Sequence, residues 1–259
     1  MIVTGSRADF GLLVPVIRAV IEHPALEAQV VAAGSHLISP AETFRDVKQL
    51  YPITDSVPMQ IAGRTTRLDD AEATGRGIAR FTRTLAAHRP HWVVVLGDRV
   101  EAFAAASAAS IAGIAVAHLH GGDRAEGIAD EAMRHAISQL AHLHLPATPT
   151  SAERLVRMGE HKAGVRCIGS PAVDAIGAIE PMDDAAAALG VPAALLLMHP
   201  IGRHPEEEEH AATIALEAVR GELREGASLL ALDPNHDPGR QGGKRALDLA
   251  AEADPAAVG

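Results

Sequence analysis

Sulfur and aromatic rings are scarce in this sequence. A single cysteine, Cys167, stands among 259 residues, so no disulfide can form within the chain and a reducing compartment suits it. Aromatic residues amount to 2%, which leaves Ala, Val, Leu and Ile to build the core. The hydrophobic fraction of 47% still excludes general disorder. Positive charge is short as well: 23 Lys and Arg face 33 Asp and Glu, for a formal charge of -10. So acidic a surface argues against non-specific binding to nucleic acid or an anionic membrane, although a local arginine cluster could hold a phosphate. No apolar run reaches the ~20 residues that span a bilayer. The opening Met1-Ile2-Val3-Thr4-Gly5 lacks the basic and apolar regions of a signal peptide. These absences point to a soluble, cytoplasmic protein, long enough for one large domain or two modest ones.

What is present is alternation. Short apolar runs alternate with helical spacing, the pattern of β-α-β units and a mainly parallel sheet in an α/β protein. Ile2 to Thr4 reads as a short strand, followed by a loop from Gly5 to Gly11 and a helix to about Glu22. Gln29 to Ala33 is a second strand, and Asp69 to His88 a helix stopped by Pro90. Trp92 to Leu96 is continuously apolar, as a strand covered on both faces should be. After it come helix Glu101 to Ala112, strand Ile114 to Leu119, helix Ile128 to Leu140, strand Leu143 to Ala147, helix Ser151 to Met158 and strand Val165 to Ile168. Gly169-Ser170-Pro171 reads as a crossing between domains, which puts the boundary at 172/173. A second α/β pattern follows in strand Ala194 to Met198, helix Pro205 to Arg220, strand Ser228 to Leu232 and a helix from Gly242. The run Glu206 to Glu209 reads as a solvated first turn that favours the helix dipole.

In a parallel α/β sheet, ligands bind beyond the C-terminal ends of the strands, and the chemistry-bearing residues fall there. Gly5 to Gly11 joins a strand to a helix, where backbone N–H groups and Arg7 suit an anion. In Gly97-Asp98-Arg99-Val100-Glu101, Asp98 follows five apolar residues, so burial would raise its pKa and Arg99 would lower it. Such a carboxyl can act as a general acid or base, or can cap the next helix. Glu101 either orients an arginine or begins that helix. His118 and His120 project to one side of a strand, yet no spaced His/Cys set completes a metal shell. Acid/base or substrate-binding roles fit His120, Asp123 and Asp130 better, and His142 and His144 read as structural. His199-Pro200 ends a strand in the second half, and its imidazole titrates near neutrality. Asn235 to Gly239 reads as a turn that can offer Asn235 or Asp237 to a ligand.

At these residues the sequence resembles the UDP-N-acetylglucosamine 2-epimerase family. It is closer to the hydrolysing branch that feeds sialic acid and related nonulosonic acid synthesis. The matching pieces are Thr4 to Gly11, Gly97 to Glu101, His118 to Asp123, Asp130-Glu131 with Arg134-His135-Ala136-Ile137, Gly169-Ser170-Pro171, His199-Pro200 and Asn235 to Gly239. The resemblance implies two Rossmann-like domains of GT-B type, residues 1-172 with catalytic carboxylates and 173-259 on the nucleotide side. It implies hydrolysis of UDP-N-acetylglucosamine, or a similar 2-acetamido sugar nucleotide, to UDP and the free C2 epimer. The expected course is C2 proton abstraction with anti elimination of UDP, then addition of water to the glycal. Asp98, Asp130, His199 and His120 are the candidate catalytic residues. Arg7, Arg99, Glu101, Asp123, Glu131, Arg134, His135 and Asn235 are the candidate substrate contacts. The resemblance implies no cofactor and a homo-oligomer, dimer or tetramer.

Two departures stand out. The family often has a glutamate where this chain has His120, and Asp123 is placed to share its load. The Ser- and Gly-rich loop and following glutamate that bind diphosphate and ribose late in the second domain have no counterpart, so that domain reads as truncated. An alternative is therefore a shortened relative acting on a smaller sugar, or an inactive paralogue that binds a full-length partner or a sugar ligand without turnover.

Overall fold

The computed structural model of the chain describes residues 1–39, 41–64, 66–124, 130–174, 176–181, 192–224, 226–235 and 239–253, the side chains of Asp130 and Ala178 excepted. It divides into two compact units, Met1–Ile179 and Glu180–Gly259. The division falls a short way beyond residue 172.

The first unit runs β1 (Ile2–Thr4), α1 (Arg7–Glu22), β2 (Val30–Ala33), α2 (Phe44–Leu50), β3 (Ile53–Val57), α3 (Arg67–His88), β4 (Trp92–Leu96), α4 (Val100–Ile111), β5 (Ala115–Leu119), α5 (Asp130–Leu140), β6 (Leu143–Leu145) and α6 (Pro149–Arg157). All its strand pairs are parallel, in the order β3-β2-β1-β4-β5-β6. This is the doubly wound Rossmann order, and its sense reverses between β1 and β4, where a crevice opens beyond the strand ends.

Alternation along the strands sends side chains to two apolar layers. Ile2, Val30 and Leu96 pack with Phe10, Leu13 and Ile17 of α1 on one face. Met1, Val3, Val31, Val93 and Val95 pack with α3 and α4 on the other. Because aromatics are few, α4 contributes small residues: Ala104, Ala105, Ala106, Ala108 and Ala109 are all buried. Alanine has the best helix propensity and lets a helix approach the sheet closely.

Several elements differ from the sequence reading. No loop extends from Gly5 to Gly11; α1 begins at Arg7, capped by Ser6 and Asp9 in a capping box. α2 and β3 carry mixed polar and apolar residues, and periodicity gave no signal for them. Val165 to Ile168 is not a strand, since Val165 makes one isolated bridge to His144. The helix expected from Ile128 is described from Asp130 onward.

The second unit contains β7 (Ala194–Leu197), α7 (Pro205–Glu222), β8 (Leu229–Leu232) and α8 (Arg240–Ala253). β7 and β8 pair in parallel. Their core is small, formed by Ala212, Leu216, Leu229 and Ala246. α7 and α8 pack tightly because Gly242 brings its backbone against Pro205 and Glu209. The expected solvated acidic turn is corrected at one position: Glu208 is buried, and its Oε1 accepts from the backbone N–H groups of Ile201 (2.9 Å) and Arg203 (3.0 Å). Among the described residues no helix is long and apolar enough to cross a membrane.

Candidate functional site

The loop after β1 is closed by its own carboxylate. Asp9 accepts from Gly5 N–H (2.8 Å), Ser6 N–H (2.7 Å) and Ser6 Oγ (2.8 Å). The N–H groups of Gly5 and Ser6, expected to face an anion, are therefore already engaged. Burial raises the Asp9 pKa, while the bonds from Gly5 and Ser6 oppose that shift. Arg7 is exposed at the first helical position.

Beneath that loop lies Glu101, only 1% exposed. Its Oε1 accepts from Gln60 Nε2 (2.6 Å) and Ser35 N–H (3.3 Å), and its Oε2 lies 3.5 Å from Arg99 Nε. The close approach requires Gly5 and Gly34, where an added Cβ would lie 2.6 Å and 2.4 Å from Glu101 Cγ. Of the two sequence readings both hold, since Glu101 orients Arg99 and lies in the first turn of α4. Enclosed in this way, its carboxylate is held by Gln60 and Ser35 and faces Arg99.

Asp98 projects from the β4–α4 turn, where Gly97 takes φ +76. Its charge partner is Arg134 of α5, which donates Nη2–H to Asp98 Oδ2, and not the neighbouring Arg99. Both side chains are mostly buried, at 16% and 14% exposure. Nor does Asp98 cap the next helix; Arg99 holds the N-cap position of α4, without a side-chain bond. The turn is fixed from below by His118, whose Nε2–H donates to Gly97 O (2.7 Å) while Nδ1 faces Ser138 Oγ (3.1 Å). A carbonyl only accepts, so the neutral ring carries its hydrogen on Nε2. Burial drives the His118 pKa down to about 3, and this histidine is a structural bracket.

His120 lies one residue beyond β5 in a left-handed conformation, φ +59, so it does not share a strand face with His118 as expected. Its Nδ1 lies 3.6 Å from Asp123 Oδ2 and its Nε2 3.2 Å from Ser170 Oγ. Asp123 is held in turn by the hydroxyl of Ser151, and Arg154 donates to Gly122 O. Gly122, at φ +80, lets the chain pass over α6: a Cβ there would meet Ser151 O at 2.4 Å. Glu131 lies 3.4 Å from Arg124 Nε and 3.7 Å from His135 Nε2. The side chain of Asp130 lies outside the described residues, although its backbone opens α5.

Elsewhere, His144 is buried and pairs with Glu160 (2.9 Å), and His142 Nδ1 accepts from Val116 N–H (3.2 Å). Both serve the framework, as read from the sequence. In the second unit His199 is exposed after β7, and its Nδ1 accepts from Asn235 N–H after β8 (3.2 Å). His236 and Asp237 lie outside the described residues. No group of three or more His, Cys, Asp or Glu poised for a metal occurs among the described residues.

The structure thus joins Asp98 with Arg134, His120 with Asp123, Glu131 with His135, and Arg99 with Glu101. Sequence reasoning missed Gln60, Ser138 and Ser151, which are ordinary polar residues with no motif around them. It read Ser170 only within Gly169-Ser170-Pro171, as a domain crossing and a family motif, with no role of its own.

Two Rossmann-like α/β units with charged groups at the strand ends define a protein of the GT-B structural class. The sequence model of the UDP-N-acetylglucosamine 2-epimerase family matches residues 18–248, and the chain belongs to that family. It is 38% identical over 176 residues to the UDP-N,N'-diacetylbacillosamine 2-epimerase (hydrolyzing) of Legionella pneumophila, covering 67% of this chain and 46% of that protein. It is 30% identical over 246 residues to the UDP-N-acetylglucosamine 2-epimerase of Neisseria meningitidis, covering 92% of this chain and 63% of that one. The chain therefore spans about half to under two thirds of these relatives' length. The crystal structure of UDP-GlcNAc 2-epimerase from Neisseria meningitidis bound to UDP-GlcNAc superimposes with a TM-score of 0.78 at 21% identity, over 99% of this chain and 70% of that one. A Methanocaldococcus jannaschii UDP-GlcNAc 2-epimerase in complex with UDP-GlcNAc and UDP gives 0.77 at 17% identity, over 99% and 71%. At these identities the structural likeness establishes the fold.

Proposed function

We propose that the chain performs hydrolysing 2-epimerisation of a 2-acetamido nucleotide sugar, releasing UDP and the C2 epimer of the free sugar. The substrate is UDP-N-acetylglucosamine or a close analogue such as UDP-N,N'-diacetylbacillosamine. One observation carries this reading: Asp98, Arg134, His120 and Asp123 converge at the C-terminal ends of β4 and β5, each in contact with another of the set. Elimination across C1–C2 needs a base at C2, a cation at the departing diphosphate and a second proton-handling group for hydration of the glycal. Asp98, held by Arg134, is suited to proton transfer, and Asp130 at the head of α5 is the candidate for the opposite face. Exposed Arg7, with Arg99 oriented by Glu101, supplies positive charge for the diphosphate. In the second unit, His199 receives Asn235 N–H at Nδ1, which leaves the Nε2 hydrogen to point outward as a donor to a leaving-group oxygen.

In this reading residues 1-172 supply the carboxylates and 173-259 the nucleotide side. The protein works in the cytoplasm as a homodimer or homotetramer and uses no cofactor. The test is incubation with each nucleotide sugar in D2O, followed by NMR. UDP and the 2-epimerised free sugar should appear, with deuterium at C2. No turnover, together with no UDP binding by calorimetry, would refute the assignment. Binding without turnover would favour a ligand-binding paralogue.

A further inference from the structure

His120 lies between two oxygen-bearing side chains from different segments, and the chemistry of the two sets its tautomer. Ser170 Oγ, 3.2 Å from Nε2, also accepts a hydrogen bond from Ala172 N–H (3.3 Å). That leaves the hydroxyl hydrogen and a second lone pair, so Ser170 can either donate to Nε2 or accept from it, and Asp123 decides between the two. A carboxylate only accepts, so the ring hydrogen belongs on Nδ1, which faces Asp123 Oδ2 at 3.6 Å, and the neutral ring accepts from Ser170 at Nε2. Asp123 does not swing freely: the Ser151 hydroxyl donates to its Oδ1, and Thr148 Oγ1 lies 2.8 Å from Ser151 Oγ. The His120 backbone is held in its left-handed conformation by donation of its N–H to Leu145 O (3.1 Å). A non-glycine residue kept at positive φ is a strained position that the surrounding structure must enforce. Hydroxyl, imidazole and carboxylate thus follow one another, with the base facing a third group.

We propose that Ser170, His120 and Asp123 form a proton relay that activates the water consumed in the reaction, a role that rests on the hydrolysing reading above. Water at Ser170 Oγ gives a proton to that oxygen while the hydroxyl proton passes to His120 Nε2. One O–H bond breaks in water, one breaks and one forms on Ser170, and one N–H bond forms on His120. The water oxygen bonds to C1 of the glycal, the C1–C2 π bond opens and its electrons take a proton at C2 from the second proton-handling group of that reading, Ser170 is regenerated, and the imidazolium faces the Asp123 carboxylate. Ser170 and His120 are the catalytic members, and Asp123 is a positioning residue. The groups facing His120 are Asp123 from its own loop, Asp98 from the β4–α4 turn, Arg134 from α5 and His118 from β5. Burial lowers the His120 pKa; Asp123 and Asp98 oppose that shift, and Arg134 reinforces it. The ring is therefore neutral, and able to accept a proton, at neutral pH.

The experiment has two arms on the full chain. Nitrogen NMR of histidine-labelled protein needs no substrate, and should show His120 with Nδ1 protonated and Nε2 bare. The reverse tautomer would overturn the relay geometry. In the kinetic arm, Ser170→Ala should lower kcat about 10²-fold with KM little changed, the lower end of what positioned acid–base groups supply. Asp123→Asn removes the charge that raises the His120 pKa, so the acidic limb of the kcat/KM profile should move to lower pH. His120→Glu should place that limb in the carboxylate range and shrink the Ser170→Ala cost at least about tenfold, because a single carboxylate needs no serine to hand it a proton. Wild-type kcat in Ser170→Ala, or an unmoved limb in Asp123→Asn, would overturn the relay. Absence of turnover with every nucleotide sugar would instead overturn the parent reading and the chemical step with it, leaving the tautomer to judge the geometry alone.

Discussion

Two adjacent glycines in α8 should respond to alanine in opposite directions. An alanine Cβ at Gly242 would stand 1.9 Å from Pro205 O and 2.8 Å from Glu209 N, both backbone atoms of α7 that cannot rotate away. α8 must then lift from α7, loosening a core made of little more than Ala212, Leu216, Leu229 and Ala246. Overpacking of this kind costs roughly 1–3 kcal/mol, and the contact with fixed backbone places it near 3. Better helix propensity returns about 1, for a net loss of about 2 kcal/mol. At Gly243 the nearest atom to an added Cβ is Pro234 Cγ at 3.8 Å, an ordinary contact. Gly243→Ala should therefore stabilise by about 0.5–1 kcal/mol through propensity and a less flexible unfolded chain. Trp92 belongs to the first unit, so its fluorescence is the wrong probe. Urea titration followed by hydrogen exchange in peptides covering α7 and α8 reads the second unit directly. Gly242→Ala should also speed exchange at Ile201 and Arg203, whose N–H groups rest on Glu208 near the start of α7. Equal stability of the two variants, or a gain in Gly242→Ala, would refute the close-approach argument.

Stability should fall as pH drops below about 6.5, because His36 and His118 are buried neutral. His36 is wedged between Thr4 Oγ1 (2.9 Å) and Thr43 Oγ1 (2.6 Å). Burial lowers its pKa to about 4, against about 3 for His118. The unfolded chain binds these protons first, so each histidine removes about 1.4 kcal/mol per pH unit between 6.5 and its folded value. The raised Asp9 works in the opposite sense above 3.8, because the folded state binds that proton first. Urea midpoints at pH 7, 6 and 5 test this, and a flat profile would contradict the neutral burial of both rings. Asp98→Asn should keep the fold, since an amide can still accept from Arg134, while UDP release falls by about 10²–10⁴ if Asp98 transfers a proton. A folded Asp98→Asn protein of full activity would remove Asp98 from the chemistry.

Much of the framework was legible in the chain. The apolar runs at Ile2, Trp92 and Ile114 gave their strands because residues buried on both sheet faces cannot hide their hydrophobicity. Gly97-Asp98-Arg99 stood out because charge follows such a run at once, and the seven motifs in order gave the family. β3 escaped because Ile53-Thr54-Asp55-Ser56-Val57 lies at the sheet edge, where mixed polarity is tolerated. Glu208 was misread because a run of glutamates looks solvated until a loop folds back upon one of them.

What the sequence by itself determined is local: strand and helix periods, and glycines such as Gly97 and Gly122 at left-handed turns. Partner choice belonged to the tertiary structure. Asp98 takes Arg134, 36 positions away, rather than the adjacent Arg99, which is drawn instead toward Glu101. His120, just past β5, meets Ser170 across 50 positions, while His118, on the strand itself, turns into a buried bracket. The physical reason is that a side chain's charge is fixed by its chemistry, but which neighbour satisfies it depends on which strand ends the sheet order brings together.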